Sequence, residues 1–136
     1  MVLVTSRTYH ARWYVLAVTI LPDPAWPVIL LAAVSFVDAV LCVRPAAFVA
    51  QCFTDVGWPR SRWWIMAPIK FAAAAGLVLG IWVPVLALIT TICLIAYFLV
   101  AIAMHVRAHD LGRNLFVNAT AMLALCVLTL VLSFLV

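Results

Sequence analysis

Trp63-Trp64-Ile65-Met66-Ala67-Pro68-Ile69-Lys70-Phe71-Ala72-Ala73-Ala74-Ala75-Gly76-Leu77-Val78-Leu79-Gly80-Ile81-Trp82-Val83 is an apolar run about as long as the ~20 residues a helix needs to cross a bilayer. A single ammonium interrupts it. A lysine near the centre of such a helix costs roughly 2.5–3.5 kcal/mol on insertion scales, so Lys70 needs a partner, water or a task. At a helical rise of ~1.5 Å per residue it lies roughly 10 Å in from Trp63.

The rest of the chain agrees with a membrane reading. It is 136 residues long, 70% hydrophobic and only 9% charged, more apolar surface than a soluble domain of this size can hide. The formal charge of +4 sits in loops, where it orients the protein and meets lipid headgroups. No basic face and no nucleic-acid motif appear, so a nucleic-acid partner is not expected. Arg7 and Arg12 precede an apolar stretch, Trp13 to Leu21, but Pro-Asp-Pro-Ala-Trp-Pro follows it from Pro22, without the small-residue pattern of a cleavable signal.

Four spans account for most of the sequence, in one transmembrane domain over 1–136. They are expected at about 26–43, 63–83, 85–106 and 115–136, divided by Pro45, Pro84 and the polar group from Arg107 to Asn114. The second and third are joined by almost nothing and should form a tight antiparallel hairpin. Between the first two, Phe48, Val49, Cys52, Phe53 and Val56 recur at helical spacing, as in a short interfacial helix. Residues 1–24 are expected as an interfacial extension. The fold class is therefore all-α: an integral membrane four-helix bundle with a short interfacial helix between its first two spans.

The first and third loops hold Arg44, Arg60, Arg62, Arg107 and Arg113, whereas the second loop and the C-terminus hold no charged side chain. The positive-inside rule makes the arginine side cytoplasmic, although Arg7 and Arg12 pull the other way. The expected location is the plasma membrane of a bacterium, with several passes. Ala72, Gly76 and Gly80 fall four apart on one face, a spacing that lets helix backbones approach. Asn118-Ala119-Thr120 spells a glycosylation sequon, but within a span the match is chance. The four cysteines, Cys42, Cys52, Cys93 and Cys126, include no Cys-x-x-Cys pair, against a zinc site or vicinal dithiol. Cys93 and Cys126 read as small buried hydrophobes.

Polar groups gather at one depth. Asp38 lies roughly 7–8 Å from the cytoplasmic end of the first span and Lys70 roughly 10 Å from that of the second. Thr90, Tyr97, Ala101 and His105 share a stripe on the third span, and Asn114 and Asn118 share one on the fourth. Thr90 and Thr91 aside, the strongly polar side chains fall in the cytoplasmic half, leaving the outer half nearly all aliphatic. Asp38 and Lys70 can offset each other's desolvation by pairing, with Tyr97, His105 and Asn118 completing the hydrogen bonds. That pair reads as a structural register lock, or as the polar end of a pocket for a lipophilic molecule's head group; alternatively Lys70 snorkels to the surface. An apolar ligand body would lie near Leu94, Val78 and Met122. His105-Val106-Arg107-Ala108-His109-Asp110 closes the third span, with three readings: acid–base work, lipid-phosphate anchoring, or helix termination. A metal site is not expected, since His105 and His109 have no Glu-rich partner.

Gly57-Trp58-Pro59 with Trp63-Trp64, Pro68-Ile69-Lys70, Gly76-Leu77-Val78-Leu79-Gly80 and Val83-Pro84 form one set of motifs. Tyr97-Phe98-Leu99-Val100-Ala101 and His105-Val106-Arg107-Ala108-His109-Asp110 continue it. Together they resemble the DoxX-like family of small four-span membrane proteins over roughly Val28 to Asp110, the last span matching only in hydrophobicity. The resemblance implies a four-helix membrane bundle and little chemistry, the family being named from a subunit linked to thiosulfate–quinone oxidation.

Two functions fit these residues. One is an accessory or binding protein for a quinone-like or lipid-like small molecule, with Lys70, Tyr97, Arg107 and Asn118 as ligand contacts. The other is a small intramembrane enzyme of isomerase or cyclase type, with Asp38, His105 and Asp110 as acid and base and Lys70 or Tyr97 stabilising developing negative charge. No cofactor fingerprint is present, so no cofactor is expected. Expected partners are membrane lipids, a lipophilic small molecule, and a second copy of the chain or a membrane partner subunit.

Overall fold

A computed structural model describes Arg12, Val15 and residues 20–136, with residues 114–116 as backbone only. Most of the interfacial extension expected over residues 1–24, and the side chain of Asn114, fall outside the described residues. Helices make up the described fold: α1 (Trp26–Val43), α2 (Ala47–Asp55), a 3-10 segment (Arg60–Ile65) running into α3 (Met66–Leu79), and α4 (Leu86–Arg107). A π-helical stretch (Asn114–Thr120) leads into α5 (Ala121–Leu130) and a last π-helical turn (Val131–Leu135). Four helical stretches are long and apolar enough to cross a membrane: Trp26–Val43, Arg60–Leu79, Leu86–Arg107 and Val117–Leu135. The all-α bundle read from the sequence is the fold observed.

Local chemistry sets the helix ends. Pro27 sits in the first turn of α1, where its missing N–H costs nothing. Pro45 forces the residue before it out of the helical region, and Arg44 is extended at φ −121°, ψ 96°. Gly57 ends α2 in the left-handed conformation, φ 70°, with Trp58 N–H donating to Phe53 O at 2.8 Å. The Trp63 indole then donates to Trp58 O at 3.0 Å, and its ring packs 5.4 Å from that of Phe53. Val49, Phe53, Cys42 and Ala67 bury together there, so α2 lies against the ends of α1 and α3.

The second span stops earlier than its hydropathy suggested. α3 ends at Leu79, and residues 80–85 form turns before Leu86 because Val85 takes φ 73°, which no helix continues. The hairpin is tight for the reason the glycines gave: a Cβ on Gly76 would meet Thr90 Oγ1 at 2.6 Å, and one on Gly80 would run into Ala87.

Val28, Leu31, Leu77, Ala87, Leu94 and Cys126 form the core of the outer half. That half is less purely aliphatic than expected. Buried Ser133 donates to Pro24 O at 2.8 Å and buried Thr129 to Pro27 O at 3.5 Å, so hydroxyls tie the last span to the start of α1. Thr90 and Thr91 donate to their own helix, at Leu86 O and Ala87 O, which satisfies them without a ligand. Cys93 departs from its expectation: it is exposed, whereas Cys126 is fully buried. Large apolar side chains cover that exterior, with Trp64 at one end of α3 and Trp82 beyond the other, each 70% exposed, as in the aromatic belts of a bilayer protein.

Candidate functional site

Lys70 and Asp38 meet. Lys70 Nζ lies 2.6 Å from Asp38 Oδ2, with side-chain exposures of 13% and 27%. Each comes from the stretch of its helix that runs alongside the other, so the ammonium does not reach the surface alone and snorkelling is not its solution. In low-dielectric surroundings the attraction within an ion pair repays the desolvation of its two charges only where the geometry is this close.

The pair stands in the wall of a cavity of about 630 Å³. α1, α2, α4 and the last span surround it, with Val34 and Leu41 on one side, Phe53 over one end, and Met122 and Leu125 opposite. Asp38, Lys70, Tyr97, His105 and Asn118, the five residues drawn together by depth in the sequence, all line it. A volume in the range of about 300–1,000 Å³, apolar walls and a few convergent polar groups are the usual make-up of a small-molecule site. A smaller cavity of about 250 Å³ lies on the far face of the pair and shares Asp38, Lys70, Tyr97 and Met122 with the first. Ser35, buried and without a hydrogen-bond partner among the described residues, opens onto it.

The polar groups divide otherwise than the sequence suggested. Tyr97 does not bond the pair; its hydroxyl donates to Met66 Sδ at 3.6 Å. His105 has its bonds elsewhere too. It is 3% exposed, with Nδ1 2.7 Å from Asp110 Oδ2 and Nε2 3.4 Å from Cys52 Sγ. The helix end builds this contact: His109 turns left-handed at φ 57°, Asp110 N–H donates back to His105 O at 3.0 Å, and the carboxylate is brought to the ring's Nδ1. Helix termination and placement of Asp110 are thus one event. Arg107 is exposed and stands outside the cavity lining, so the ligand-contact role expected of it lacks a position. Of the apolar contacts, Met122 lines both cavities and Leu94 the smaller, but Val78 is turned outward.

Cys52 is the residue that sequence reading passed over. Its signal was present in the period of α2, which puts Cys52 beside Val49 and Phe53 on the face that lines the cavity. Burial pushes its thiol up to about 11, with the Lys70 ammonium pulling the other way. The thiol is therefore protonated at neutral pH and stands within hydrogen-bond distance of the His105 imidazole.

No group of three or more His, Cys, Asp or Glu able to hold a metal ion occurs among the described residues. The family model described as DoxX-like matches residues 27–131, well over half of the chain. No curated protein and no solved structure matches it. With four apolar helices, a tight small-residue hairpin and that match, the chain belongs to the DoxX-like family of membrane proteins.

Proposed function

We propose that this multi-pass membrane protein binds a lipophilic small molecule, quinone-like or lipid-like, with its apolar body in the larger cavity and its polar head at Asp38 and Lys70. The supporting observation is the position of the ion pair. It stands in the wall of a 630 Å³ apolar cavity, where a head-group carbonyl or hydroxyl can take a hydrogen bond from the ammonium or give one to the carboxylate. A pair serving only to lock helix register has no need of that space.

Decylubiquinone added to the purified protein in nanodiscs is expected to raise its unfolding temperature. At a ligand concentration about 100-fold above Kd the stabilisation is about 2.7 kcal/mol. Asn118→Ala and Tyr97→Phe should weaken the effect, because both residues line the cavity. Equal protection of parent and Asn118→Ala by decylubiquinone and by an alkane of the same length would point to partition into the surrounding lipid and sink the reading.

The arginine-bearing end is taken as the cytoplasmic one. Single cysteines at Arg60 and Arg113 should resist an impermeant maleimide in intact cells and react after permeabilisation. Reaction at both sites in intact cells would reverse the orientation.

A further inference from the structure

Three side chains at the arginine-bearing end of the cavity do work that reversible binding does not require. Cys52 Sγ stands 3.4 Å from His105 Nε2, and the other ring nitrogen stands 2.7 Å from Asp110 Oδ2. A thiol, an imidazole and a carboxylate in that order are the parts of an activated nucleophile: one atom to attack, a base to take its proton, and an anion to fix the ring tautomer. With Asp110 on Nδ1, the hydrogen is held there and Nε2 presents its lone pair to the thiol. Cys52 and His105 both line the cavity, whereas Asp110 does not. The reacting pair therefore borders the space, and the orienting residue stands outside its lining.

We propose that Cys52, His105 and Asp110 form a nucleophile, a base and a positioning residue that take an acyl group from a long-chain acyl thioester, with the chain lying in the cavity. The proposal rests on the binding reading above only for the place of the chain. Cys52 Sγ attacks the thioester carbonyl carbon while its proton passes to His105 Nε2. The carbonyl-to-sulfur bond of the donor then breaks, and His105 returns the proton to the departing thiolate. One thioester replaces another, and nothing is oxidised or reduced.

One further feature fits this donor. The same end of the bundle carries exposed Arg44, Arg60, Arg62, Arg107 and Arg113, a cationic rim suited to the phosphates of a coenzyme A carrier. The carrier would stay at the rim while the chain enters between the helices.

The full chain in nanodiscs, mixed with palmitoyl-coenzyme A and followed by intact mass, tests this. A single palmitoyl adduct on Cys52, released by neutral hydroxylamine, is expected. Cys52→Ser should abolish it, while Cys42→Ala, Cys93→Ala and Cys126→Ala leave it in place. His105→Ala should slow its formation by about a hundredfold or more, and His105→Gln, which keeps a hydrogen-bonding side chain for folding, should slow it equally. Asp110→Asn should slow it by at least about tenfold and Asp110→Glu restore most of the rate, a recovery that tracks the carboxylate. No adduct on the parent, an adduct forming as readily on exposed Cys93, or an unchanged rate in folded His105→Gln would each overturn the proposal. Protection by decylubiquinone without an adduct removes this relay and leaves the binding reading standing; an adduct without that protection does the reverse.

Discussion

Replacing Lys70 with Met, or Asp38 with Asn, is expected to destabilise the bundle by about 3 kcal/mol, the lower end of the cost of breaking a buried ion pair. The loss comes less from the missing attraction than from the charge left behind. In Lys70→Met the Asp38 carboxylate keeps its desolvation cost and loses the cation 2.6 Å away. The lower end applies because Asp38 retains 27% exposure toward the cavity, through which water can reach it. The double variant Asp38→Asn, Lys70→Met should recover most of the loss, since removing both charges removes both penalties. Melting in detergent checks this directly. Single variants that melt like the parent would mean that the pair carries no stability, and a double variant worse than either single would mean that the charges act apart.

The second large effect is expected at the hairpin. Gly80→Ala should cost about 1–3 kcal/mol. The backbone there is not the obstacle: Gly80 has φ −68° and ψ −9°, values that alanine adopts freely, and alanine alone would favour the helix. The cost arises from packing, because the new methyl would run into the backbone nitrogen and Cβ of Ala87, and neither can move without parting α3 from α4. Gly76→Ala makes the useful comparison. Its methyl would meet the Thr90 hydroxyl at 2.6 Å, a side chain that can rotate once its bond to Leu86 O is given up. That change should cost less, under about 1.5 kcal/mol. If Gly80→Ala melts at or above the parent, the close approach of these helices is not what holds the hairpin.

Much of this was legible in the sequence, and the reasons differ by residue. Depth along a helix follows from counting, so Asp38, Lys70, Tyr97, His105 and Asn118 could be placed in one layer before any contact was known. The partner of Lys70 followed from scarcity, because Asp38 is an acid at matching depth. What counting could not supply was rotation about the helix axis. Cys93 and Val78 carried no mark of which way they face, and both point outward.

The bonding of His105 was hidden for a different reason. It depends on a left-handed residue, His109, after the helix end, and on α2 folding back far enough to bring Cys52 across. The first is a backbone conformation uncommon outside glycine and asparagine. The second joins residues 53 positions apart, which no local pattern registers. The early end of α3 has a similar origin, since hydropathy continues through Ile81, Trp82 and Val83 while the chain turns.

The cavity beside Asp38 and Lys70 is tested most directly by photocrosslinking. A long-chain ubiquinone analogue carrying a diazirine on its tail, irradiated with the protein in nanodiscs and mapped by peptide mass spectrometry, reports which side chains surround it. Crosslinks at Val34, Met122 or Leu125, competed away by unlabelled quinone and lost in the Asp38→Asn, Lys70→Met double variant, are the expected result. Crosslinks spread over the lipid-facing exterior at Ile92, Leu99 and Leu128, with no competition, would contradict it.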